Sequence, residues 1–338
     1  MKVLLTGIPG WLGHRFLEIL VKGFRGEAPI NDWSIRCLVL QGMDTSFIRA
    51  LSEDKQIEIV PADLTKKETL KKAVQEIDIV FHMAGVIHPK KIKDLYALNT
   101  QGTLNLISEA FYAGVKRFIH ISSNSVGGTN ARGDILMKEE DQPHPYMNYG
   151  KSKYYAECAV KNFQEEGKIE TVILRPCWFY GPHQPPRQTR LFRMIQKGNP
   201  LVFGNGLNLR SLSYVDNTAQ AMLLAATKKE AAGQTYWIAD AKAYTTLEIY
   251  QAIAEALEVK HFKPRFLPNF SSEIFLMADK IIQGLGQYIP EIHVAGEMNK
   301  NIACSIEKAR RELSYNPSIE LEEGMRRSID YCRNNHLL

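Results

Sequence analysis

The chain has 338 residues, of which 45% are hydrophobic and 23% are charged, and its 42 Lys and Arg against 37 Asp and Glu give a formal net charge of +5. These values are typical of a globular protein and exclude a disordered chain, which combines low hydrophobicity with high net charge. The five cysteines show no paired spacing, which excludes a disulfide scaffold, and no apolar run approaches the roughly 20 residues of a membrane helix.

The N-terminus and the distribution of charge bear on location and partners. Met1–Leu5 leads directly into Thr6 and Gly7 and lacks the form of a secretory signal, so we expect a cytoplasmic protein with reduced thiols. The basic residues are spread along the chain, so we expect no binding to nucleic acid or membrane.

The first half of the chain alternates between apolar strands and helices. The predicted elements are strand Val3–Thr6, helix Trp11–Lys22, strands Ser34–Leu40 and Ile57–Pro61, helix Lys66–Glu76, strand Asp78–His82, helix Leu95–Ala113, strand Arg117–Ser122, helix Asn148–Glu166 and strand Glu170–Leu174. This alternation predicts an α/β fold with a parallel sheet covered by helices on both faces.

After Arg175, proline and glycine become frequent, which is typical of a smaller, loop-rich lobe. The elements predicted there are strand Thr235–Ile238 and helices Thr246–Leu257, Ser272–Gln283, Ser305–Leu313 and Leu321–Asn334. We therefore expect a dinucleotide-binding domain over residues 1–174 and a substrate-binding lobe over residues 175–338, with about 213–240 returning to the first sheet.

A glycine-rich turn joins the first strand to the first helix. Gly7 permits the tight turn, Gly10 lets the backbone approach a pyrophosphate, and Gly13 lets the helix pack close to the strand. The helix N-terminus then offers free N–H groups to phosphates. The residues predicted to bind a dinucleotide here are Thr6, Gly7, Ile8, Pro9, Gly10, Trp11, Leu12 and Gly13.

Tyr149 and Lys153 are spaced so that their side chains share one face of a helix. A neighbouring ammonium favours the phenolate and lowers the pKa of a tyrosine from its usual ~10, which suits acid–base catalysis. Ser123 follows a strand upstream and could donate a hydrogen bond to the oxygen of a substrate carbonyl.

Together these motifs resemble the extended branch of the short-chain dehydrogenase/reductase superfamily, which includes the NAD-dependent epimerases and dehydratases, and the resemblance covers nearly the whole chain. It implies a Rossmann-type doubly wound sheet with a smaller C-terminal α/β lobe. It implies Ser123, Tyr149 and Lys153 as catalytic residues, with Asn99 helping to position Lys153. By the same resemblance, further cofactor contacts are Asp63, Leu64, Met83, Ala84, Gly85, Asn99, Ser122, Tyr149, Lys153 and Pro176.

The end of the second strand bears on the choice between NAD and NADP. NAD-binding proteins usually place a carboxylate there, whereas this chain has Leu40 and Gln41, with Arg36 before them. We assign these three residues to the cofactor site, and the lack of a carboxylate favours NADP slightly. The histidines show no metal-ligand spacing, so we expect no metal.

Within the superfamily, the chain is most similar to 3β-hydroxysteroid dehydrogenase-like and dihydroflavonol reductase-like proteins. Trp178 stands where sugar-nucleotide epimerases commonly carry Asn, and the segment Ser272–Ala303 has an apolar helical face. We therefore expect hydride transfer between nicotinamide and a hydroxyl or carbonyl carbon of a small, fairly apolar substrate. The residues predicted to contact substrate are Ser123, Ser125, Trp178 and Arg210.

Two alternatives remain open. Relatives that act on nucleotide sugars often place a phosphate-binding Arg at the position of Arg210. An epimerase or dehydratase with tightly held NAD is therefore an alternative function. A non-enzymatic, cofactor-sensing regulator on the same fold is a remote alternative, because such relatives often lose the tyrosine and lysine.

The resemblance also implies a homodimer, formed by pairing the helices near Leu95–Ala113 and Asn148–Glu166. The residues that could serve this interface are Leu106, Tyr112, Tyr155 and Val160.

Overall fold

The structure is a computed structural model that describes residues 1–24, 30, 32–53, 56–133 and 135–338. The elements up to residue 176 are β1 (Lys2–Thr6), α1 (Trp11–Lys22), β2 (Ser34–Val39), α2 (Ser46–Leu51), β3 (Ile57–Pro61), α3 (Lys67–Val74), β4 (Ile79–His82), α4 (Ile92–Leu95), a π-helix (Tyr96–Gly102), α5 (Thr103–Tyr112), β5 (Arg117–Ile121), α6 (Met147–Glu165) and β6 (Glu170–Pro176).

The later elements are shorter and more mixed. They are β7 (Trp178–Tyr180), α7 (Thr189–Gln196), β8 (Leu201–Phe203), β9 (Leu209–Arg210), β10 (Leu212–Tyr214), α8 (Val215–Thr227), β11 (Thr235–Ile238), β12 (Tyr244–Thr245), α9 (Thr246–Ala256), β13 (Arg265–Leu267), α10 (Phe270–Gly284), α11 (Pro290–Glu297), α12 (Glu307–Leu313) and α13 (Leu321–Asn334).

A seven-stranded sheet in the order β11-β6-β5-β4-β1-β2-β3 forms the centre of the molecule, and its neighbouring strands pair in parallel. This confirms the predicted doubly wound α/β fold. The chain runs outward from β1 in one direction and then from β4 in the other. The strand order therefore reverses between β1 and β4, and open α/β sheets bind ligands at the carboxyl ends of such strands.

Helices cover both faces of this sheet. α1, α8 and α12 pack on one face, and α3, α5 and α6 pack on the other. Leu106 and Val160, which were predicted to lie in a dimer interface, are fully buried in the second of these layers. That expectation was wrong for these two residues, because they belong to the core of the single chain.

A separate core fills the second half of the chain, where α7, α9 and α13 bury Phe192, Ile253 and Ile329 together. Three two-stranded pairs, β7 with β10, β8 with β13 and β9 with β12, surround it. β11 leaves this region and pairs with β6, so it adds the last strand to the large sheet.

Several helices differ from the sequence-based expectation. The helix predicted over Leu95–Ala113 is interrupted by the π-helix, and α2, α7, α8 and α11 were not predicted. α8 carries buried residues around most of its circumference, from Val215 to Ala226. It therefore lacks the single apolar stripe by which periodicity detects a helix.

The hairpin of α10 and α11 has an unusual distribution of polarity. Ser272 Oγ donates to the carbonyl oxygen of Ala295 at 2.8 Å and ties the two helices together. The apolar face predicted for this segment is not buried, since Ile274, Met277 and Ile281 are exposed, while Ser272 and Asp279 are fully buried. In the described parts of the chain, no helix has the length and hydropathy required to cross a membrane.

Candidate active site

The glycine-rich turn lies between β1 and α1 and packs tightly against the segment that follows β4. Gly7 has φ +82°, and a Cβ atom there would lie 2.7 Å from the backbone N of Ala84 and the backbone C of Met83. Only glycine fits a positive φ with this close approach. The turn therefore brings Gly7, Met83 and Ala84, all predicted cofactor contacts, into one place.

The other two glycines compact the turn itself. A Cβ atom on Gly10 or Gly13 would lie 2.7 or 2.6 Å from the Gly7 carbonyl oxygen. Gly10 caps α1 without a side-chain hydrogen bond, which leaves N–H groups of the first helical turn available to a phosphate. These residues fit the pyrophosphate of a dinucleotide.

The other residues of this turn fix its position. Trp11 Nε1 donates to the Pro182 carbonyl oxygen at 2.6 Å, and Thr6 Oγ1 accepts from Ala84 N at 3.2 Å. The side chains of Ile8 and Leu12 are buried. Pro9 follows Ile8 through a cis peptide bond. Contacts to a dinucleotide from this turn would thus come mainly from the backbone.

The predicted adenine and ribose contacts lie at the ends of β2 and β3. Asp63 Oδ1 accepts from Thr65 N at 2.9 Å and from Thr65 Oγ1 at 2.7 Å, and the neighbouring Leu64 is buried. Leu40 and Gln41 are exposed beyond the end of β2.

Arg36 does not reach this site. Its guanidinium donates to the carbonyl oxygens of Lys72, Ala73 and Gln75 and pairs with Glu58 at 2.7 Å. These carbonyls lie at the C-terminal end of α3, where a cation is favoured, and at the sheet edge opposite the glycine turn. The assignment of Arg36 to the cofactor site is therefore corrected.

Ser123, Tyr149 and Lys153 come together beyond the carboxyl end of β5. Ser123 lies close enough to Tyr149 to lower the pKa of its phenol, and the Ser123 Oγ lies 3.0 Å from the Ser125 Oγ. Lys153 is buried one turn further along α6 and donates from Nζ to the Ile121 carbonyl oxygen at 2.7 Å. Ser123 and Tyr149 are thus neighbours at this sheet edge, as acid–base chemistry on one substrate oxygen requires.

Burial changes the protonation of both ionisable groups. It raises the pKa of Tyr149, and the hydrogen bond from Ser123 opposes that rise. It lowers the pKa of Lys153 to about 8, against the opposing effect of Glu157. The tyrosine is therefore a phenol at neutral pH. The sequence predicted that Lys153 lowers the pKa of Tyr149, but the effect of burial is larger and raises it.

A buried ion pair lies directly behind these residues. Glu157 accepts from Arg175 Nε at 2.9 Å and Arg175 Nη2 at 2.6 Å, and from Ser122 Oγ at 2.6 Å. The Ser122 hydroxyl thus donates its hydrogen to Glu157 rather than to a cofactor. Pro176, another predicted cofactor residue, ends β6 next to Arg175 and is buried.

Asn99 lies in the π-helix and is fully buried. Its amide accepts from Val86 N at 2.8 Å and donates to the Val86 carbonyl oxygen and to Ser152 Oγ, both at 3.0 Å. Asn99 therefore joins the segment after β4 to the residue that precedes Lys153. This arrangement suits a positioning role, although its hydrogen bonds go to Ser152 rather than to Lys153.

The α10–α11 hairpin covers the start of α6, which sequence analysis did not foresee. Gln283 Oε1 accepts from Asn148 Nδ2 at 2.8 Å, and Gln283 Nε2 donates to Asp279. His293 Nδ1 lies 2.7 Å from Asp279 Oδ2. Ser272, Asp279 and Gln283, spaced on one polar helical face, were the signal that could have indicated this inward side.

Two predicted substrate contacts lie in the second half of the chain. Trp178 packs at the edge of the core formed by α7, α9 and α13. Arg210 donates to the Glu297 carbonyl oxygen, while its buried Nε and the hydroxyls of Tyr146 and Tyr250 have no hydrogen-bond partner among the described residues. Burial also lowers the pKa of Arg210. Such unsatisfied donors suit a polar group on a ligand.

A glycine-rich turn at the strand reversal, together with a tyrosine and a buried lysine at the same sheet edge, is typical of a class of dinucleotide-dependent enzymes. The sequence profile of the "NAD dependent epimerase/dehydratase family" matches residues 3–239. The chain belongs to this family, as the sequence motifs predicted.

Relatives within this family carry out different reactions. The chain is 26% identical to UDP-glucose 4-epimerase of Vibrio cholerae, over 97% of this chain and 94% of that protein. It is 25% identical to 3beta-hydroxysteroid-dehydrogenase/decarboxylase isoform 1 of Arabidopsis thaliana, over 96% and 78%. The fold is similar to that of UDP-glucuronic acid 4-epimerase from Bacillus cereus in complex with NAD, with a TM-score of 0.78, 22% identity and coverage of 99% and 100%.

Proposed function

We propose that this chain is an NAD(P)-dependent oxidoreductase that acts at a hydroxyl or carbonyl carbon of a small, fairly apolar substrate, with Tyr149 as the acid or base. The observation that carries the proposal is the placement of Ser123, Tyr149 and Lys153 at the carboxyl end of β5, on the same sheet edge as the glycine turn. Tyr149 also packs against Ile92, Leu95 and Tyr288, which supports an apolar group near the reacting carbon.

The residues of the chain divide the chemistry among them. When bound, the nicotinamide supplies or accepts the hydride. In the direction of reduction, the Tyr149 phenol donates its proton to the substrate oxygen while Ser123 Oγ donates a hydrogen bond to the same atom. In oxidation, Tyr149 first loses its own proton, and its phenolate then accepts the proton of the substrate hydroxyl. Lys153 places a positive charge beside the site, and the α10–α11 hairpin covers the start of α6 next to it.

The family is NAD-dependent, and the slight preference for NADP now has less support, because Arg36 is engaged elsewhere. Leu40 and Gln41, which the sequence assigns to the ribose, are exposed beyond the end of β2. We propose that neither side chain rejects a 2′-phosphate, so that NAD and NADP bind with similar affinity. We further propose that residues 175–338 determine substrate choice.

The second candidate is a nucleotide-sugar epimerase or dehydratase with tightly held NAD. The unpaired Nε of Arg210 favours it, since a guanidinium binds phosphate well. The relationship to UDP-glucose 4-epimerase points the same way. An enzyme of this kind keeps its nicotinamide through the cycle, whereas a reductase releases it.

Thermal stability of the purified protein, titrated with NADH, NADPH, UDP-sugars and dTDP-sugars, separates these candidates. Ligands that bind the native state raise its apparent stability by mass action. We expect a shift with NADH or NADPH and none with the sugar nucleotides. A strong additional shift with a sugar nucleotide would favour the epimerase or dehydratase. No shift with either dinucleotide, for a protein whose absorbance shows that it carries no nicotinamide, would contradict both enzymatic candidates.

Replacing Tyr149 with Phe tests the role of the phenol. We expect turnover to fall by roughly 10²–10⁴, the usual contribution of a positioned acid or base, while the variant still binds dinucleotide. Tyr155→Phe on the same helix is the matched control, because Tyr155 is half exposed. A cofactor-sensing regulator would have no turnover for this change to remove.

A further inference from the structure

α10 carries its polar residues inward and its apolar residues outward. Ser272, Asp279 and Gln283 are buried, and their side chains bond to α11, to each other and to Asn148. The outward residues are between 60% and 76% exposed and form one stripe along the helix, namely Phe270, Ile274, Met277, Ile281 and Leu285. We call these five residues the α10 stripe.

The area of this stripe is large for a surface that stays in water. Five long apolar side chains at this exposure present on the order of 600 Å², at the upper limit of the patches that monomeric proteins usually expose. Phe275, Ile289 and Val294 are also exposed. Together they approach the roughly 800 Å² that each partner contributes to a stable protein interface.

The charges around the stripe argue against a lipid surface. A helix that lies on a membrane carries an excess of Lys and Arg on its polar side. α10 has one lysine, Lys280, against Glu273 and the buried Asp279, and α11 contributes Glu291 and Glu297. A protein partner fits this balance better.

Phe270, Ile274, Met277 and Ile281 are separated by four, three and four residues, so their spacing is the same when the helix is read in the opposite direction. We propose that two copies of this chain associate through α10, with the two helices packed antiparallel around a twofold axis. Phe270 then meets the partner subunit's Ile281, and Ile274 meets the partner subunit's Met277. Each contact occurs twice by symmetry, which gives four complete apolar layers with the alternating spacing of a coiled coil.

The flanking charges complement each other in the same register. Glu273 and Lys280 precede Ile274 and Ile281, so they lie on the same side of the stripe. In the antiparallel pair, Glu273 faces the partner subunit's Lys280, twice by symmetry. Glu273 also pairs with Lys300 of its own chain, but its side chain stays half exposed and can accept from both lysines.

This interface would act on the proposed active site. The inward face of α10 holds Asn148, the residue before Tyr149, through Gln283. A partner on the outward face fixes α10 in place and therefore fixes one wall of the site. It is also distinct from a pairing through α5 and α6, where the exposed large apolar or aromatic residues are Leu104, Tyr112 and Tyr155.

Sedimentation velocity across a range of protein concentrations tests the proposal. We expect the wild-type chain to dimerise and Ile274→Glu to raise the dimer dissociation constant by 100-fold or more, because it buries two charges in an apolar layer. Ile274 is exposed in the single chain, so the variant should fold normally and should have the Tm of the wild type at concentrations where both are monomeric. Tyr112→Glu is the matched control and should remain dimeric. A monomeric wild type, or dissociation by Tyr112→Glu alone, would overturn the proposal.

A charge exchange tests the register. Glu273→Lys or Lys280→Glu alone opposes like charges twice and should weaken the dimer about tenfold, whereas the double variant restores opposite charges and should recover wild-type affinity. Failure of the double variant to recover would contradict the antiparallel pairing. Flotation of a monomeric wild type with phosphatidylcholine–phosphatidylglycerol vesicles, abolished by Ile274→Glu, would assign the stripe to a membrane instead. None of these three experiments, sedimentation, charge exchange or flotation, depends on the reaction that the chain catalyses.

Discussion

Lys153 carries its charge inside the protein with the help of Glu157, one helical turn away. Burial alone disfavours the ammonium, and the carboxylate of Glu157 raises the pKa of Lys153 back toward its usual value. Arg175 and Ser122 hold that carboxylate from the other side. Glu157 is thus a positioning residue for the charge at the site.

Replacing Glu157 with Gln should move the pH profile of the enzyme. Without the carboxylate, the pKa of Lys153 falls below about 8, so the ammonium is lost at a lower pH and the alkaline limb of kcat/KM shifts the same way. We also expect a stability loss of about 3–5 kcal/mol, because Arg175 is left buried without its partner.

Glu170→Gln is the control for that experiment, since it breaks the pair with Arg117 at a half-exposed position far from the site. The readouts are kcat/KM between about pH 6 and pH 9 and the free energy of unfolding. An unchanged alkaline limb with the same loss of stability would reduce Glu157 to a structural residue.

Residues near one another in sequence were the ones that could be predicted. Tyr149 and Lys153 share a helix face by spacing alone, and Ser123 follows from the end of a strand. Gln283 reaches Asn148 across 135 residues, which only tertiary packing determines. Arg36 was misplaced for a related reason: its long side chain runs back to the end of α3, and residue type does not reveal that direction.

At the scale of elements, the β1–α1 turn requires a close approach to the backbone of Met83 and Ala84 and a left-handed backbone conformation at Gly7. Mutation can separate these two requirements. Gly7→Ala places a Cβ atom 2.7 Å from backbone and forces an alanine to φ +82°. We expect weaker dinucleotide binding and a stability loss clearly above the roughly 1–2 kcal/mol that a left-handed backbone alone costs.

Gly114→Ala measures the cost of the left-handed backbone by itself, because Gly114 has φ +78° and open space around its Cβ position. Unfolding in denaturant and titration with NADH on both variants give the comparison. Equal losses in the two variants would mean that the close approach to Met83 and Ala84 costs nothing.

Helices were predicted well where one face is apolar and the other faces water. α1, α9 and α13 have this pattern and appear within a residue of their predicted bounds. α8 is buried on most sides and was missed, and α10 was found but turned outward. Periodicity locates an apolar face, but it does not say whether the same chain or another covers that face.

At the scale of the whole molecule, the strand order explains why distant motifs meet. Parallel strands place their carboxyl ends at one edge, so β1, β4 and β5 bring the glycine turn, Ala84 and Ser123 together. This edge was predictable from the alternation of elements. The second half offers no such regularity, and the position of Arg210 beside Glu297 depends on how its small strands and helices pack.

The centre of the sheet also makes the protein sensitive to acid. His82 and His120 are adjacent on β4 and β5 and fully buried, and burial lowers the pKa of His82 to about 3 and that of His120 well below its usual value. His82 bonds to Thr6 and Thr103, whereas neither ring nitrogen of His120 has a partner among the described residues. Both rings are neutral in the folded state.

Replacing His120 with Met should therefore protect the protein at low pH. In the unfolded chain a histidine takes up a proton below about pH 6.5, and the buried ring does not, so each such histidine costs up to about 1.4 kcal/mol of stability per pH unit as the pH falls toward 4. The free energy of unfolding of the variant should thus fall less steeply between about pH 6 and pH 4 by that amount. At neutral pH the change should be neutral or stabilising, because it removes two unsatisfied buried nitrogens.

His336→Met, near the C-terminus, is the exposed control. The free energy of unfolding is measured with urea at several pH values. If it falls equally steeply with pH for wild type and His120→Met, then His120 is protonated in the folded protein.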